Sequence, residues 1–342
     1  SVPMNPDAYT LLGEDGQPAT EVVVKDPKDP SKVIGKYTLV KEPGKDPVAV
    51  YTPEDKTYVG PVPPVTIEAK DTNGTPVKTT YTPTIKPVTP TTTPAETTDI
   101  QGKAQTGLPE FKGGKVTVNG EEKVVPIDET KAPKLIDPKT GDPVDSVKVE
   151  GEGTYTIEDG KVKFQPEPQF TGKGEGVEVQ RVDKNGTPVT AKYTPKVVPV
   201  TPTGEDKTSV GPKGQPQTGT PEFKGGSVKI NGKEETVEIK TDEAPKLIDP
   251  KTGDPVDSVT VEGEGTYSID KDGKVTFTPE PEFLGTATGV TVQRQDKNGT
   301  PVTAKYTPTV TPVTMTVDKT SEGAKNTPQS NTPEFKGDVD LD

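Results

Sequence analysis

The chain runs to 342 residues, of which only 27% are hydrophobic, with 35 Gly, 40 Pro and a formal net charge of −13. It has no Cys, His or Trp, which excludes a disulfide framework, a thiolate metal site and the usual general base. No apolar run exceeds four residues, so no segment reads as a membrane span or a secretion signal, and the acidic balance repels nucleic acid and anionic lipid. The chain reads as an internal piece of something longer. Composition this polar leans towards disorder. The internal repeats argue for folded domains instead.

In chain order, residues 1–90 read as a divergent first copy of a β unit. It keeps Gly35, Tyr37, Tyr51-Thr52-Pro53 and Tyr58-Val59-Gly60 where later copies have Gly153, Tyr155, Phe164-Gln165-Pro166 and Phe170-Thr171-Gly172. It closes with VTIEAKDTNGTPVKTTYTP over 65–83, in which Val65, Ile67 and Ala69 alternate with Thr66 and Glu68. Period two predicts a strand with one buried face, and Asn-Gly supplies the positive φ of a tight hairpin. The stretch PTTTPAETTDIQGK follows, and 91–103 reads as an extended polar linker.

The second copy, 104–202, opens with QTGLPEF at 105–111, an element the first copy lacks. GKVTVNGEEKVV (114–125) reads as strand, Asn-Gly turn, strand. APKLIDPKTGDPVDSVKVEGEGTY (132–155) carries turn chemistry in DPKTGDP, where Pro fixes φ and Gly permits a left-handed residue. TYTIEDGKVKFQP (154–166) is a hairpin around Asp159-Gly160, and VEVQRVDKNGTPVTAKYTP (177–195) repeats the closing hairpin, with Val189, Ala191 and Tyr193 alternating in its second arm. A second linker is expected over 203–215. The third copy, 216–313, repeats the second almost letter for letter; the stretch 132–155 recurs at 244–267 with only Lys148 changed, to Thr260. Residues 314–342 read as a linker and the truncated start of a fourth copy, QSNTPEFKG from Gln329. No window carries a 3.6-residue pattern. Short strands with turn signals every eight to twelve residues predict an all-β chain of tandem antiparallel sandwich-like domains, arranged as an elongated string.

The series QTGTPEF, LIDPKTGDPVDSV, GEGTY, KVTFTPEPEFLGTATGVTV and DKNGTPVTAKYTPTVTPV resembles the CshA-type fibril repeat of Gram-positive, cell-wall-anchored surface adhesins. The resemblance covers both full copies almost end to end and the first from about Leu11. It implies an extracellular fibril stalk built of tandem β domains, with the anchor and any terminal ligand-binding domain lying elsewhere.

Candidate sites are few. Arg181 and Arg294, the only arginines, fall at equivalent positions and suit either an anion contact or a half-buried strand residue paired with a local Glu. Asp137, Asp142 and Asp145 could ligate calcium, but Pro138 and Pro143 make the stretch a better turn. The acidic residues lie in turns or on polar strand faces without an aromatic cleft, so no glycosidase pair is expected. Asn119, Asn185, Asn231 and Asn298 all precede Gly, so turn geometry accounts for them and a Lys–Asn cross-link is not expected; a Lys–Asp bond stays open. Phe111, Tyr155, Phe164, Phe170 and Tyr193 are expected as core anchors. The sequence therefore predicts no catalytic, cofactor-binding or metal residue and no enzyme. It predicts a stalk whose partners are its own neighbouring repeats, with host surface proteins, other cells or adjacent fibrils as the alternative. No membrane insertion is expected.

Overall fold

A computed structural model describes residues 9–313 and 319–332. Among the described residues every regular element is a β-strand. The second repeat is two sheets facing each other. One has the order Ala95–Ile100, Pro188–Val198, Val177–Val182, Lys134–Ile136, Pro143–Val144, with Gly172–Lys173 also on Pro188–Val198. The other has the order Gln105–Gly107, Lys161–Pro166, Gly153–Glu158, Ser146–Val149. The third repeat has the same two sheets.

The core lies between the sheets. Leu135, Tyr155, Val162, Phe164, Val179 and Tyr193 are fully buried, and Phe111 and Phe170 pack against them from the rim. Leu247, Tyr267, Val275, Phe277, Val292 and Tyr306 do the same in the third repeat. Tyr155 and Phe164 face each other across the strand pair with ring centroids 4.6 Å apart, and Tyr193 meets Tyr155 edge-on at 6.2 Å. In a chain so poor in apolar residues these rings are the largest fully buried side chains of the core.

The turns divide into two kinds. Asn119-Gly120, Asn231-Gly232 and Asp159-Gly160 have positive φ at both residues, the two-residue hairpin expected of them. At Asn185-Gly186 and Asn298-Gly299 only the glycines do, with φ of 85° and 80°. There the turn spans three residues, closed by Gly186 N to Asp183 O at 2.9 Å and Asp183 N to Thr187 O at 3.0 Å. The Asp183 carboxylate organises it, taking the Asn185 and Thr187 amides on Oδ1, each at 2.8 Å. Asp71 and Asp296 do the same in their copies. The third repeat uses this device once more, at Asp270 with the Asp272 and Lys274 amides, where the second has Asp159-Gly160. That extra residue is why the closing hairpins are spaced 112 residues apart at first and 113 afterwards.

The stretches read as linkers fold differently. Ala95–Ile100 pairs in parallel with residues 193–198 of the closing strand, and Thr91–Thr93 pairs with Glu110–Lys112. Lys207–Pro212 and Thr203–Glu205 repeat this in the third domain. Polarity misleads here because the strand lies at a sheet edge, with Glu96 and Thr98 outward and a hydroxyl, Thr97, turned inward. What it contributes is backbone pairing and one hydroxyl: Thr97 Oγ1 lies 2.7 Å from Tyr193 Oη and donates to Gln105 Oε1 at 2.6 Å, while Gln105 Nε2 reaches Lys196 O at 2.9 Å. Ser209, Tyr306 and Gln217 form the same network.

The first repeat keeps the closing hairpin, Val65–Lys70 against Pro76–Tyr81, and a three-stranded sheet, Glu21–Asp26, Asp29–Val40 and Val48–Pro53. Its core is Leu11, Val24, Ile34, Tyr37, Val62 and Val65. No parallel edge strand covers Pro76–Tyr81 among the described residues, and every residue of that strand is exposed. Of the expected linker and truncated fourth copy over 314–342, residues 319–332 form no strand, while 314–318 and 333–342 lie outside the described residues.

Candidate functional site at the junction between repeats

For a chain of tandem domains the contacts that set function are those that join one domain to the next. Between the second and third repeats the sequence runs out of the closing strand straight into Val200. Val200 of this connection is buried together with Ile100, the last residue of the second repeat's edge strand, and with Val237, and Val228 and Ile230 of the third repeat's first hairpin pack against them. Gly226 makes room, since a Cβ there would sit 2.5 Å from Thr201 O and 2.6 Å from Val200 Cγ1.

Around this apolar contact runs a polar clasp. Gln101 is buried; its amide bonds Val198 O, its Nε2 bonds Pro168 O at 2.9 Å, and its Oε1 accepts from Val200 N. Its backbone carbonyl accepts from Asn298 Nδ2, in the third repeat's closing turn, at 3.0 Å. Gln169 Nε2 returns the contact by donating to Asn298 O at 2.7 Å. Gly102, at φ 79°, lies so near that a Cβ would fall 2.0 Å from Asn298 Oδ1. Lys103 completes the clasp with Glu235 at 3.0 Å and Asp99 at 3.3 Å. The hydrogen bond between Lys103 and Glu235 raises the lysine's pKa and lowers the glutamate's.

The first junction repeats the backbone contact, with Gly114 against Thr89 and Val88, and adds Lys86 Nζ to Thr117 O at 3.2 Å. Asn185, the counterpart of Asn298, serves its own turn.

The other candidate residues are used locally. Arg181 pairs with Glu129 at 2.9 Å and donates to Lys131 O; Arg294 donates to Lys240 O and Glu243 O beside an open cleft of about 260 Å³. Asp137 caps its turn through the Lys139 amide at 2.7 Å, and Asp145 pairs with Lys134 at 2.6 Å. Among the described residues no group of three or more acidic side chains is arranged to hold a metal. Among the described residues no ion pair joins a lysine to the buried Asp183 or Asp296, whose Oδ2 atoms are enclosed without a hydrogen-bond partner. Sequence reasoning missed three things. One is the buried Glu152, which accepts from the Tyr155 hydroxyl and the Glu175 amide. The second is the network of Thr97, Gln105 and Tyr193. The third is the second role of Asn298. A recurrent Asp two residues before Asn-Gly was the one visible signal for the turn carboxylates.

The sequence profile of the surface adhesin CshA repetitive domain matches residues 1–85, 87–197 and 199–310. No curated protein matches the chain. Among solved structures, mouse cadherin-23 EC22-24 is 13% identical, with a TM-score of 0.27 over 88% of this chain and 95% of that one. The I9-I11 tandem of titin is 12% identical, with a TM-score of 0.28 over 91% and 89%.

Proposed function

The chain belongs to the family of surface adhesin CshA repetitive domains, and from that premise we propose that its repeats form the stalk of a cell-wall-anchored bacterial fibril and hold a terminal binding domain away from the surface. The observation that carries this reading is the junction. A buried apolar contact ringed by Gln101, Asn298 and Gln169 restrains two neighbouring domains, which suits a stiff spacer better than a flexible tether. In the two full repeats the aromatic residues at 155, 164, 193, 267, 277 and 306 are buried in the cores and both arginines are held by local backbone carbonyls, which supports a structural role over a sugar or peptide platform. Net charge of −13 discourages the chain from folding back on itself.

Small-angle scattering tests the reading. A single globule of this length has a radius of gyration of about 20 Å and an unfolded chain about 66 Å. Three domains in a row with centres about 40 Å apart give about 35 Å. A value in the thirties that salt leaves unchanged supports a stiff stalk; a value near 20 Å removes the basis for reach. The rival reading, repeats that grip a host protein or a neighbouring fibril directly, predicts that this fragment in solution blocks adhesion of cells bearing the parent protein. A stalk fragment leaves adhesion intact.

A further inference from the structure

Five asparagines in the chain precede glycine: Asn73, Asn119, Asn185, Asn231 and Asn298. An Asn-Gly pair loses its side-chain amide readily, because glycine has no side chain to hinder attack of its own amide nitrogen on the neighbouring Asn Cγ. The structure sorts the five into two groups. In the closing turns that nitrogen is engaged: Gly74 N donates to Asp71 O, Gly186 N to Asp183 O and Gly299 N to Asp296 O, each at 2.9 Å. Asn298 is held a second time, since its Nδ2, the group that would leave, donates to Gln101 O.

The two-residue hairpins differ. At the tips of Gly114–Val118 with Glu121–Val125 and of Gly226–Ile230 with Lys233–Val237, the Gly120 and Gly232 amides have no backbone acceptor among the described residues. Asn119 and Asn231 are exposed there. Exposure alone does not separate the groups, because Asn73 is exposed as well.

Asn231 stands where a change of charge matters. It lines an open cavity of about 500 Å³ together with Glu96, Asp99 and Gln105 of the second repeat. Asp99 is paired with Lys103, and Lys103 reaches across to Glu235 on the strand that leaves the Asn231-Gly232 tip. The same hairpin carries Val228, Ile230 and Val237 into the apolar contact between the repeats.

We infer that Asn231 is a site of spontaneous deamidation and that its conversion to a carboxylate loosens the joint between the second and third repeats. Gly232 N gives up its proton and bonds Asn231 Cγ; the Cγ–Nδ2 bond breaks, and the amide leaves as ammonia with that proton. The cyclic imide then takes up a water and opens on either side, to aspartate or to isoaspartate. Either product sets a negative charge on the wall shared with Glu96 and Asp99, where it repels them and competes for Lys103. Isoaspartate also lengthens the backbone at the tip and disturbs the pairing of Ile230 with Lys233.

The test ages the full 342-residue chain in mildly alkaline buffer and follows each Asn-Gly pair by peptide mapping with mass spectrometry. Asn119 and Asn231 should convert about fivefold or more faster than Asn73, Asn185 and Asn298, the factor that one net hydrogen bond carries. The consequence is read separately on Asn231→Asp by hydrogen exchange. The Gln101 and Val200 amides should exchange about twofold to fivefold faster than in the unaltered chain, the range of an exposed ion pair, and added salt should shrink the difference. The Tyr155 and Val179 amides, in the second repeat's core, report that the domain is still folded. Asn231→Gly tolerates the positive φ and cannot deamidate, so its junction should stay constant through ageing. Asn119→Asp, in the hairpin of the first junction, should leave Gln101 and Val200 as they were. Three results would overturn the inference: conversion at equal rates at all five pairs, no conversion at Asn231, or Gln101 and Val200 amides indifferent to Asn231→Asp.

Discussion

Tyr81 and Tyr193 are the same residue in two copies of one fold, and they live in different surroundings. Tyr193 is sealed at 0% exposure, with its hydroxyl 2.7 Å from Thr97 Oγ1; Tyr81 is 38% exposed. Both tyrosines sit on the closing strand over a central strand pair, but the first repeat has no described counterpart of two strands of the second: the six-residue Ala95–Ile100, which pairs with the closing strand, and Gln105–Gly107, whose Gly107 lies against the Tyr193 ring. Burial of the central tyrosine is therefore a property of these edge strands as much as of the sandwich. A segment that looks like a spacer is what closes the domain.

The largest effect that would break this comparison is on the tyrosines themselves. Tyr193→Ala should cost the second repeat about 3–5 kcal/mol, the usual range for emptying a buried aromatic site. Tyr81→Ala should cost the first repeat about 1 kcal/mol. Calorimetry that resolves the two transitions would show it, and equal losses would mean the edge strand does not matter. Next is the hydroxyl that links strand to core. Thr97→Val keeps the shape and strands the Tyr193 hydroxyl and the Gln105 amide, at a cost of about 1–3 kcal/mol; Ser209→Ala should do the same to the third repeat. Thermal melts of the second repeat that do not move would show that the network is incidental.

A smaller effect separates the two junctions. Gly102→Val puts a side chain where Asn298 sits and a β-branched residue at φ 79°, a conformation that costs an L-residue about 1–2 kcal/mol. Amide chemical shifts at Asn298 and Gly299 should move and the scattering profile should broaden, while the first junction stays as it was. The smallest effect is on pH. Glu235 has a lowered pKa because it accepts from Lys103, so its contribution is present above the ordinary carboxylate range and is lost as pH falls through its depressed value. Lys103 has a raised pKa, so its share is present below the ordinary lysine value and is lost only as pH rises through the raised one. The pair should loosen the second junction slightly in acid and more so in added salt, as read by the same amide shifts.

Much of this was legible in the sequence. Alternation placed Val65, Ala69, Ala191 and Tyr193 on buried faces, with Ile67 and Val189 of the same faces only half-buried, and the Asn-Gly and Asp-Gly pairs marked the hairpins. The edge strand was not legible, because its inward positions are Ala95, Thr97, Asp99 and Ile100, two of them polar, so its alternation does not show as apolar against polar. Thr97 and Ser209 look like any linker hydroxyl until Tyr193 and Tyr306, nearly a hundred residues later, are brought beside them. The junction was hidden for a related reason. Gln101 and Asn298 are 197 residues apart, and each has an adequate local explanation in a turn.

The parallel pairing of Ala95–Ile100 with the end of the closing strand has a mechanical consequence. These two strands are where the chain enters and leaves the domain, and they point the same way. A pull along the chain draws the first strand backwards and the last one forwards, so the ladder is loaded in shear. Its six residue pairs bear the load together, whereas a hairpin pulled at its open end yields one bond at a time. Rupture under load is governed by the unfolding rate, and a domain clamped in this way resists tension applied along the chain through its first and last strands.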